Sequence, residues 1–237
     1  MTHTLFTIGY AGKGINDFIA CLKKHEINCV IDVRTSPFSK TFPAFDKPKL
    51  KEALKKENIS YGHFGNEFGA RRVENEAYEI VHTLYGEAKE QVSFRKVYEL
   101  PEFRKGVERI INAARMNYNV CFLCSEKHPI DCHRFWMVAY YFATLTLSFE
   151  IVNIIDENNS QNYLDVIEEA KAEFEKGKKK FYKEHDELNG CSLVNLDIPK
   201  WVKEWDGLFN SKEHEHNVLQ KFFNIKIGYS KGANEYD

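Results

Sequence analysis

Short apolar segments alternate with helix-like segments through residues 1–156, and this alternation limits the folds open to the chain more than any other feature. The predicted strands are Leu5–Tyr10, Cys29–Val33, Ser60–Phe64, Asn119–Cys124 and Phe149–Ile155. Helical spacing of apolar residues predicts helices at Ile15–His25, Lys49–Asn58, Phe103–Met116 and Cys132–Leu145. The pattern predicts an α/β domain with a mainly parallel, Rossmann-like open sheet of about five strands flanked by helices.

The composition changes after Asp156, where segments rich in Lys and Glu begin. We therefore expect an α/β domain over residues 1–156 and a charged, solvated helical C-terminal extension over 157–237. Within the extension, Lys178–Lys180 offers a local basic contact for nucleic acid, and Gly228–Asp237 is expected to be a frayed tail. Residues 73–100 show no clear period and are predicted to form one or two helices.

The overall charge and the cysteine count exclude several classes of protein. The chain has 237 residues and a net charge of −2, whereas a protein that binds duplex DNA through its overall field carries a positive excess. No apolar run approaches the roughly 18 residues that span a bilayer, so no membrane association is expected. The N-terminal residues lack a signal-peptide pattern, and six cysteines are too few for a disulfide scaffold. We expect a cytoplasmic protein with reduced thiols.

The densest group of reactive side chains joins a strand end to a helix start, in the segment Cys124-Ser-Glu-Lys-His-Pro-Ile-Asp-Cys-His-Arg134. Cys124 and Cys132 are candidate nucleophiles, because a thiolate is favoured near a helix N-terminus. His133 and Glu126 are candidate proton acceptors, and Glu126 has the alternative of pairing with Arg134. Free cysteines are often buried core residues, which is the alternative interpretation of both thiols.

A zinc site is the other chemistry to weigh in this segment. Cys121, Cys124, Cys132 and His133 together make a four-ligand set. Cys121, however, lies inside a predicted strand, where the period of two points its side chain away from the face that carries Cys124. The sequence therefore predicts no metal and no cofactor.

A second polar group follows the strand Cys29–Val33, where Asp32 interrupts an apolar run and Arg34 comes two residues later. In open parallel sheets, ligands bind beyond the carboxyl ends of the strands. Asp32 is therefore a candidate acid–base residue, and an ion pair with an arginine is its structural alternative. Five further residues at the same predicted edge are candidate substrate-binding residues: Tyr10, Arg34, His63, Arg71 and Arg72.

These segments resemble the family named domain of unknown function 488. The residues that carry the resemblance are Thr7-Ile-Gly-Tyr10, Asp32-Val-Arg34, Glu67-Phe-Gly-Ala-Arg-Arg72 and Cys124-x-Glu-Lys127 with Cys132-His-Arg134, which together span about residues 4–145. One position departs from the family pattern, since Ala70 stands where a second glycine is usual. The resemblance implies an α/β domain with its motif residues at one sheet edge, and it implies no established activity.

We expect an enzyme that acts on an anionic, phosphate-bearing substrate, such as a nucleotide or a nucleic-acid end. The expected catalytic residues are Asp32, Cys124, Glu126, Cys132 and His133, and the expected substrate-binding residues are Tyr10, Arg34, His63, Arg71, Arg72 and Arg134. One alternative is a non-catalytic module that binds a nucleotide or nucleic acid. The other is that the motifs are ion pairs and caps that only specify the fold. The oligomeric state is left open.

Overall fold

The computed structural model describes residues 3–82, 88–144, 149–189 and 212–230. Its strands are β1 (His3–Gly9), β2 (Cys29–Asp32), β3 (Ser60–His63), β4 (Tyr78–His82), β5 (Ala88–Val92), β6 (Val120–Cys124), β7 (Phe149–Ile154) and β8 (Ser160–Asn162). Six of them form one sheet in the order β3-β2-β6-β1-β7-β8, in which every pairing is parallel except that of the edge strand β8 with β7. The fold is therefore α/β with a mainly parallel sheet, as the sequence predicts.

Helices cover both faces of this sheet. They are α1 (Ile15–Lys24), α2 (Lys47–Lys56), α3 (Gly65–Phe68), α4 (Phe94–Val97), α5 (Pro101–Arg115), α6 (Tyr140–Ala143), α7 (Tyr163–Asn189) and α8 (Lys212–Ile227). A π-helix (Arg134–Ala139) leads directly into α6. The helix predicted to start at Cys132 is thus π-helical over Arg134–Ala139, and π-helical turns are rare and often lie at functional sites.

The two faces of the sheet have separate apolar cores. On one face, which we call the α1 face, Val30 and Leu123 pack with Phe18 and Leu22 of α1. The opposite face, which we call the α5 face, is larger and includes Val33, Phe122 and Cys124 with residues of α5, the π-helix, α7 and α8. This separation decides which motif residues can meet.

The prediction of helices at residues 73–100 is wrong for most of that segment. The chain there forms the antiparallel hairpin β4–β5, and the helical parts among its described residues are a 3₁₀ turn (Asn75–Ala77) and α4. In β4, Ile80 is 72% exposed and Val81 is 7% exposed, which is the alternation expected of a strand with one solvent-exposed face and one buried face. The polar residues of both strands hide this period in the sequence.

The expected boundary at residue 156 does not coincide with a break in the packing. Strand β8 extends the sheet, and Phe174 of α7 and Leu219 and Phe223 of α8 belong to the core of the α5 face. The described part of this region is therefore integral to the domain and is not a solvated extension. The side chains of Lys178–Lys180 and the residues 231–237 of the expected tail lie outside the described residues. Among the described residues, none of the helices has the length and apolar character needed to cross a membrane.

Candidate functional site

The motif residues lie at the carboxyl ends of the central strands, as predicted. The backbone N–H of Tyr10 donates to the carbonyl of Cys124 over 3.2 Å, and that of Val33 donates to Leu123 over 3.0 Å. The ends of β1, β2 and β6 are thereby joined just beyond the last residues of the strands. Register then separates the side chains, because Asp32 pairs with Leu123 and so points to the α1 face, opposite to Cys124.

The first group of side chains, which we call the thiol cluster, consists of Cys124, Glu126, Cys132 and His133. The sulfur atoms of Cys124 and Cys132 lie 3.0 and 2.8 Å from the same carboxylate oxygen, Oε2 of Glu126. His133 Nδ1 lies 3.7 Å from the sulfur of Cys124 and 4.0 Å from that of Cys132. Both cysteines and the histidine are buried, whereas Glu126 is partly exposed. Glu126 is therefore the member of the cluster that meets solvent.

The orientation of His133 is fixed by the backbone of β2. Its Nε2 lies 3.1 Å from the carbonyl oxygen of Val33, which only accepts hydrogen bonds. Nε2 therefore carries a hydrogen, and in the neutral ring the lone pair of Nδ1 is directed toward the two thiols.

The pKa values of the two thiols are shifted in opposite directions. Burial raises the pKa of Cys124 well above its ordinary value, and the neighbouring Cys132 raises it further. Burial opposes ionisation of Cys132 as well, but the hydrogen bond from Cys124 and the positive charge of Arg134 outweigh it and lower the pKa of Cys132 to about 6. Burial also opposes ionisation of Glu126, yet the charge of His133 and hydrogen bonds from the thiols lower the pKa of Glu126 to about 2. Cys132 is the more acidic thiol of the pair.

Arg134 positions the loop that carries Glu126. Its side chain is 0% exposed and donates to the carbonyl of Glu126 over 2.7 Å and to that of Lys127 over 3.1 Å. The same loop passes so close to β1 that a Cβ added to Gly9 would lie 1.7 Å from the carbonyl oxygen of Glu126. Glycine is required at residue 9 by this close approach.

Tyr229, which the sequence reasoning missed, covers the thiol cluster. Its hydroxyl lies 3.3 Å from Nδ1 of His133, and the two rings meet edge to face. The backbone N–H of Val92, at the end of β5, donates to the carbonyl of Tyr229 over 3.0 Å and holds the segment in place. The expectation of a frayed tail is wrong for residues 228–230, where a lone tyrosine gives no local signal of the contact.

The second group, which we call the aspartate–arginine cluster, is closed and lies on the α1 face. Arg34 donates to the two carboxylate oxygens of Asp32 over 2.8 and 2.6 Å, and also to the hydroxyl of Tyr10 and the carbonyl of Phe45. The hydroxyl of Tyr61 donates to Asp32 over 2.7 Å. Asp32 is 0% and Arg34 5% exposed. The structural alternative, an ion pair that closes the sheet end, describes this geometry.

The remaining predicted residues serve the loops around the sheet edge. His63 Nε2 lies 2.9 Å from the carbonyl of Arg34. Arg72 is buried, pairs with Glu74, and donates to three backbone carbonyls in the segment 66–69. Arg71 is partly exposed, its backbone N–H donates to Thr35, and its positive charge acts on Tyr229.

The expectation of one shared site for all these residues is therefore corrected. The structure joins Cys124, Glu126, Cys132 and His133, with Arg134 behind them, and leaves Asp32 and Arg34 on the other face. Cys121 lies in the core of the α1 face, as its strand position predicts. Three groups of the thiol cluster, from Cys124, Cys132 and His133, present metal-ligating atoms that all lie within 4.8 Å of one another.

Comparison with known proteins places these features in a family. The model of the family described as Domain of unknown function DUF488 matches residues 14–141, more than half of the chain, and the match includes the whole thiol cluster. Neither a curated protein nor a solved structure matches the chain.

Proposed function

We propose that this chain, which belongs to the DUF488 family, is an enzyme that acts on an anionic, phosphate-bearing substrate at the thiol cluster. The observation that carries the proposal is the contact of two thiols with one carboxylate oxygen, 2.8 and 3.0 Å away, beside an imidazole. Nucleophile, proton acceptor and orienting group within hydrogen-bond reach are the parts that covalent and acid–base catalysis require. Their position beyond the carboxyl ends of parallel strands is where such folds bind ligands.

Substrate access is proposed along the exposed side of the cluster. Ser125 and Glu126 are partly exposed, while the sulfur-bearing residues beneath them are buried. Ser125 donates to Oε1 of Glu126 over 2.8 Å, which leaves Oε2 directed at the thiols. A substrate would therefore meet the carboxylate first and reach the thiols beside it.

Positive charge near the cluster supports an anionic substrate. Lys127 is exposed, and Lys13 is partly exposed with its ammonium group 2.9 Å from the carbonyl of Gly9. Burial lowers the pKa of Lys13, and the positive charges of Arg134 and Lys127 lower it further. An anion bound there would relieve this repulsion.

The anion contacts in this proposal differ from those expected from the sequence alone. Arg34, Arg72 and Arg134 are buried and donate to internal acceptors. Lys13, Lys127 and Arg71, all at least partly exposed, are the proposed contacts to phosphate.

Binding is tested by calorimetric titration of the full chain with inorganic phosphate, pyrophosphate and ATP. We expect at least one to bind, with affinity reduced in Lys127→Ala and Arg71→Ala. The matched control is Arg104→Ala, which removes an exposed arginine paired with Glu99 and should change nothing. If none of the three ligands binds, the proposed substrate class is wrong.

Turnover is tested by phosphorus NMR on mixtures of phosphate monoesters, diesters and nucleotides. Glu126→Gln should abolish any conversion, and Cys121→Ser, on the opposite face, should leave it intact. If the wild type binds a nucleotide but converts none of these compounds, the chain is instead a non-catalytic binding module.

We also propose a reducing compartment such as the cytoplasm. Supporting this, all five described cysteines are free thiols, including the adjacent Cys124 and Cys132.

A further inference from the structure

We propose that the thiol cluster is a zinc site in which Cys124 Sγ, Cys132 Sγ and His133 Nδ1 are the three protein ligands and Glu126 lies beside the two cysteines. The inference rests on the proposed function only in assigning the cluster a chemical role. Metal binding itself can be measured without a substrate.

The distances match a tetrahedral site. With zinc–sulfur bonds of about 2.3 Å and zinc–nitrogen bonds of about 2.0 Å, neighbouring ligand atoms lie roughly 3.5–3.8 Å apart. His133 Nδ1 lies 3.7 and 4.0 Å from the two sulfur atoms, and all three atoms lie within 4.8 Å of one another. Glu126 Oε2, at 2.8 and 3.0 Å from the sulfurs, lies closer to them than two ligands of one zinc ion would and is not part of this three-atom group.

The groups behind the ligands are those that metal sites use. Metal-binding histidines almost always donate their second ring nitrogen to a carboxylate or a carbonyl, which fixes the ring. His133 does so through Nε2 to Val33 over 3.1 Å. The backbone N–H of Arg134 donates to the sulfur of Cys132 over 3.4 Å, which stabilises a thiolate ligand.

Charge balance also favours a divalent cation. Two thiolates and one carboxylate bring three negative charges into a largely buried space, and Arg134, which is 0% exposed, returns one positive charge. A divalent ion supplies the other two and leaves the buried group neutral, whereas an unbalanced buried charge is costly. Thiolate and imidazole donors in a tetrahedral arrangement select zinc over magnesium or calcium.

The four-residue set that the sequence suggests contains one residue, Cys121, that lies too far from the other three to bind the same ion. Cys121 points into the core of the α1 face, whereas Glu126 lies beside Cys124 and Cys132. A single cysteine followed after a loop by Cys132 and His133 matches no simple cysteine-pair motif, so the ligand set emerges only when the loop is folded.

The test uses the full chain purified under reducing conditions, stripped with a chelator and titrated with Zn²⁺ alone or Co²⁺ alone. We expect one Zn²⁺ per chain by elemental analysis after desalting. We also expect Co²⁺ to give a thiolate-to-metal charge-transfer band and the intense visible bands of tetrahedral coordination. Absence of the thiolate band from the spectrum of the wild-type protein with Co²⁺ would overturn the proposal. This result needs no variant, so it does not depend on whether a variant folds.

Variants then identify the ligands. Loss of a residue that only hydrogen-bonds to a metal ligand lowers metal affinity about 10–100-fold. Cys124→Ser, Cys132→Ser and His133→Ala each remove a ligand and should therefore lower zinc affinity by more than that. Cys121→Ser is the matched control and should bind zinc like the wild type. Unchanged zinc affinity in Cys124→Ser, Cys132→Ser and His133→Ala would overturn the site.

The two proposals fail separately. A chain that binds Zn²⁺ but neither phosphate, pyrophosphate nor ATP keeps the zinc site and loses the proposed substrate class. A chain that binds one of those anions without binding Zn²⁺ keeps the substrate class and loses the zinc site.

Discussion

His133 donates its Nε2 hydrogen to the carbonyl of Val33 over 3.1 Å, across 100 positions of sequence. This single bond ties the start of the π-helix to the end of β2 and sets the direction of the imidazole. Because Val33 is buried on the α5 face, its carbonyl has little access to water as a substitute partner.

Removing that donor should destabilise the fold. We expect His133→Ala to lower the free energy of unfolding by about 1–3 kcal/mol, the cost of leaving a buried acceptor unsatisfied. Urea denaturation of the metal-free protein measures the change. His128→Ala, at an exposed position two residues beyond Glu126, should stay within about 0.5 kcal/mol of the wild type. Equal effects of the two substitutions would contradict the role of the Val33 bond.

The aspartate–arginine cluster should behave as a structural pair. Arg34→Ala strands the buried carboxylate of Asp32 and should cost about 3–5 kcal/mol of unfolding free energy. Because the pair lies on the face opposite to the thiol cluster, the same variant, at a temperature where it is folded, should bind Zn²⁺ like the wild type. Chemical denaturation and a zinc titration check the two parts. A stable variant with impaired phosphate binding would instead return Arg34 to the substrate site.

Glu74 should make stability depend on acid pH. Burial opposes its ionisation, but the hydrogen bonds and charge of Arg72 outweigh burial and lower the pKa of Glu74 below its ordinary value of 4.5. The folded protein therefore holds the Glu74 proton less tightly than the unfolded chain does. Its contribution is fully present above the unfolded pKa and is lost as the pH falls through the folded pKa.

Glu74→Gln should accordingly be less stable than the wild type at pH 7, with the difference narrowing as the pH falls below about 4.5. Thermal unfolding followed by circular dichroism from about pH 3 to about pH 7 gives the stability of the variant and of the wild type as a function of pH. Glu76→Gln, at an exposed position, serves as the control and should run parallel to the wild type. A constant gap between the Glu74→Gln and wild-type curves would rule out this linkage.

Two glycine substitutions should have opposite effects. In Gly9→Ala the new methyl group meets the carbonyl of Glu126 at 1.7 Å, so the loop must move, at a cost of about 1–3 kcal/mol. In Gly177→Ala, within α7, the nearest atom is 3.8 Å away in Phe222, and helix propensity should add about 0.5–1 kcal/mol of stability. Urea denaturation of both variants checks the signs, and a stabilising Gly9→Ala would refute the close approach.

Loss of the Tyr229 ring should uncover the thiols. Tyr229→Ala removes the ring that packs edge to face on His133, with ring centroids 5.7 Å apart. We expect faster alkylation of Cys124 and Cys132 by iodoacetamide in the metal-free protein, located by mass spectrometry. Tyr118→Ala, at an exposed position, is the control. Faster labelling at Cys121 instead would indicate general unfolding and not removal of a cover.

Sequence reasoning found the five parallel strands of the sheet and the edge where the motifs lie, but it could not assign side chains to the two faces. The apolar run Cys29–Val33 and the run ending at Cys124 predict buried parallel strands, and the motif residues follow them as expected. Whether Asp32 and Cys124 face each other depends on register, since a shift of one residue reverses every side chain of a strand. The pairing of Asp32 with Leu123, which places them on opposite faces, has no local sequence signal.

Sequence reasoning also missed contacts between segments that are far apart along the chain. Tyr229 and His133 are 96 residues apart, and nothing near Tyr229 indicates a buried partner. The charged composition around α7 and α8 concealed their apolar stripes, which supply Phe174 and Phe223 to the core. Composition is a poor guide to burial for helices that are rich in polar residues and pack against the core along only one face.

The closing of the thiol cluster by residues 228–230 has a consequence for how the protein is made. Every strand of the sheet and every member of the cluster is synthesised before α8 and Tyr229. We expect the two thiols to be accessible to oxidants and to metal ions during that interval. If the cluster binds zinc as proposed, loading should be easiest then, and the later packing of α8 and Tyr229 should slow both metal exchange and oxidation.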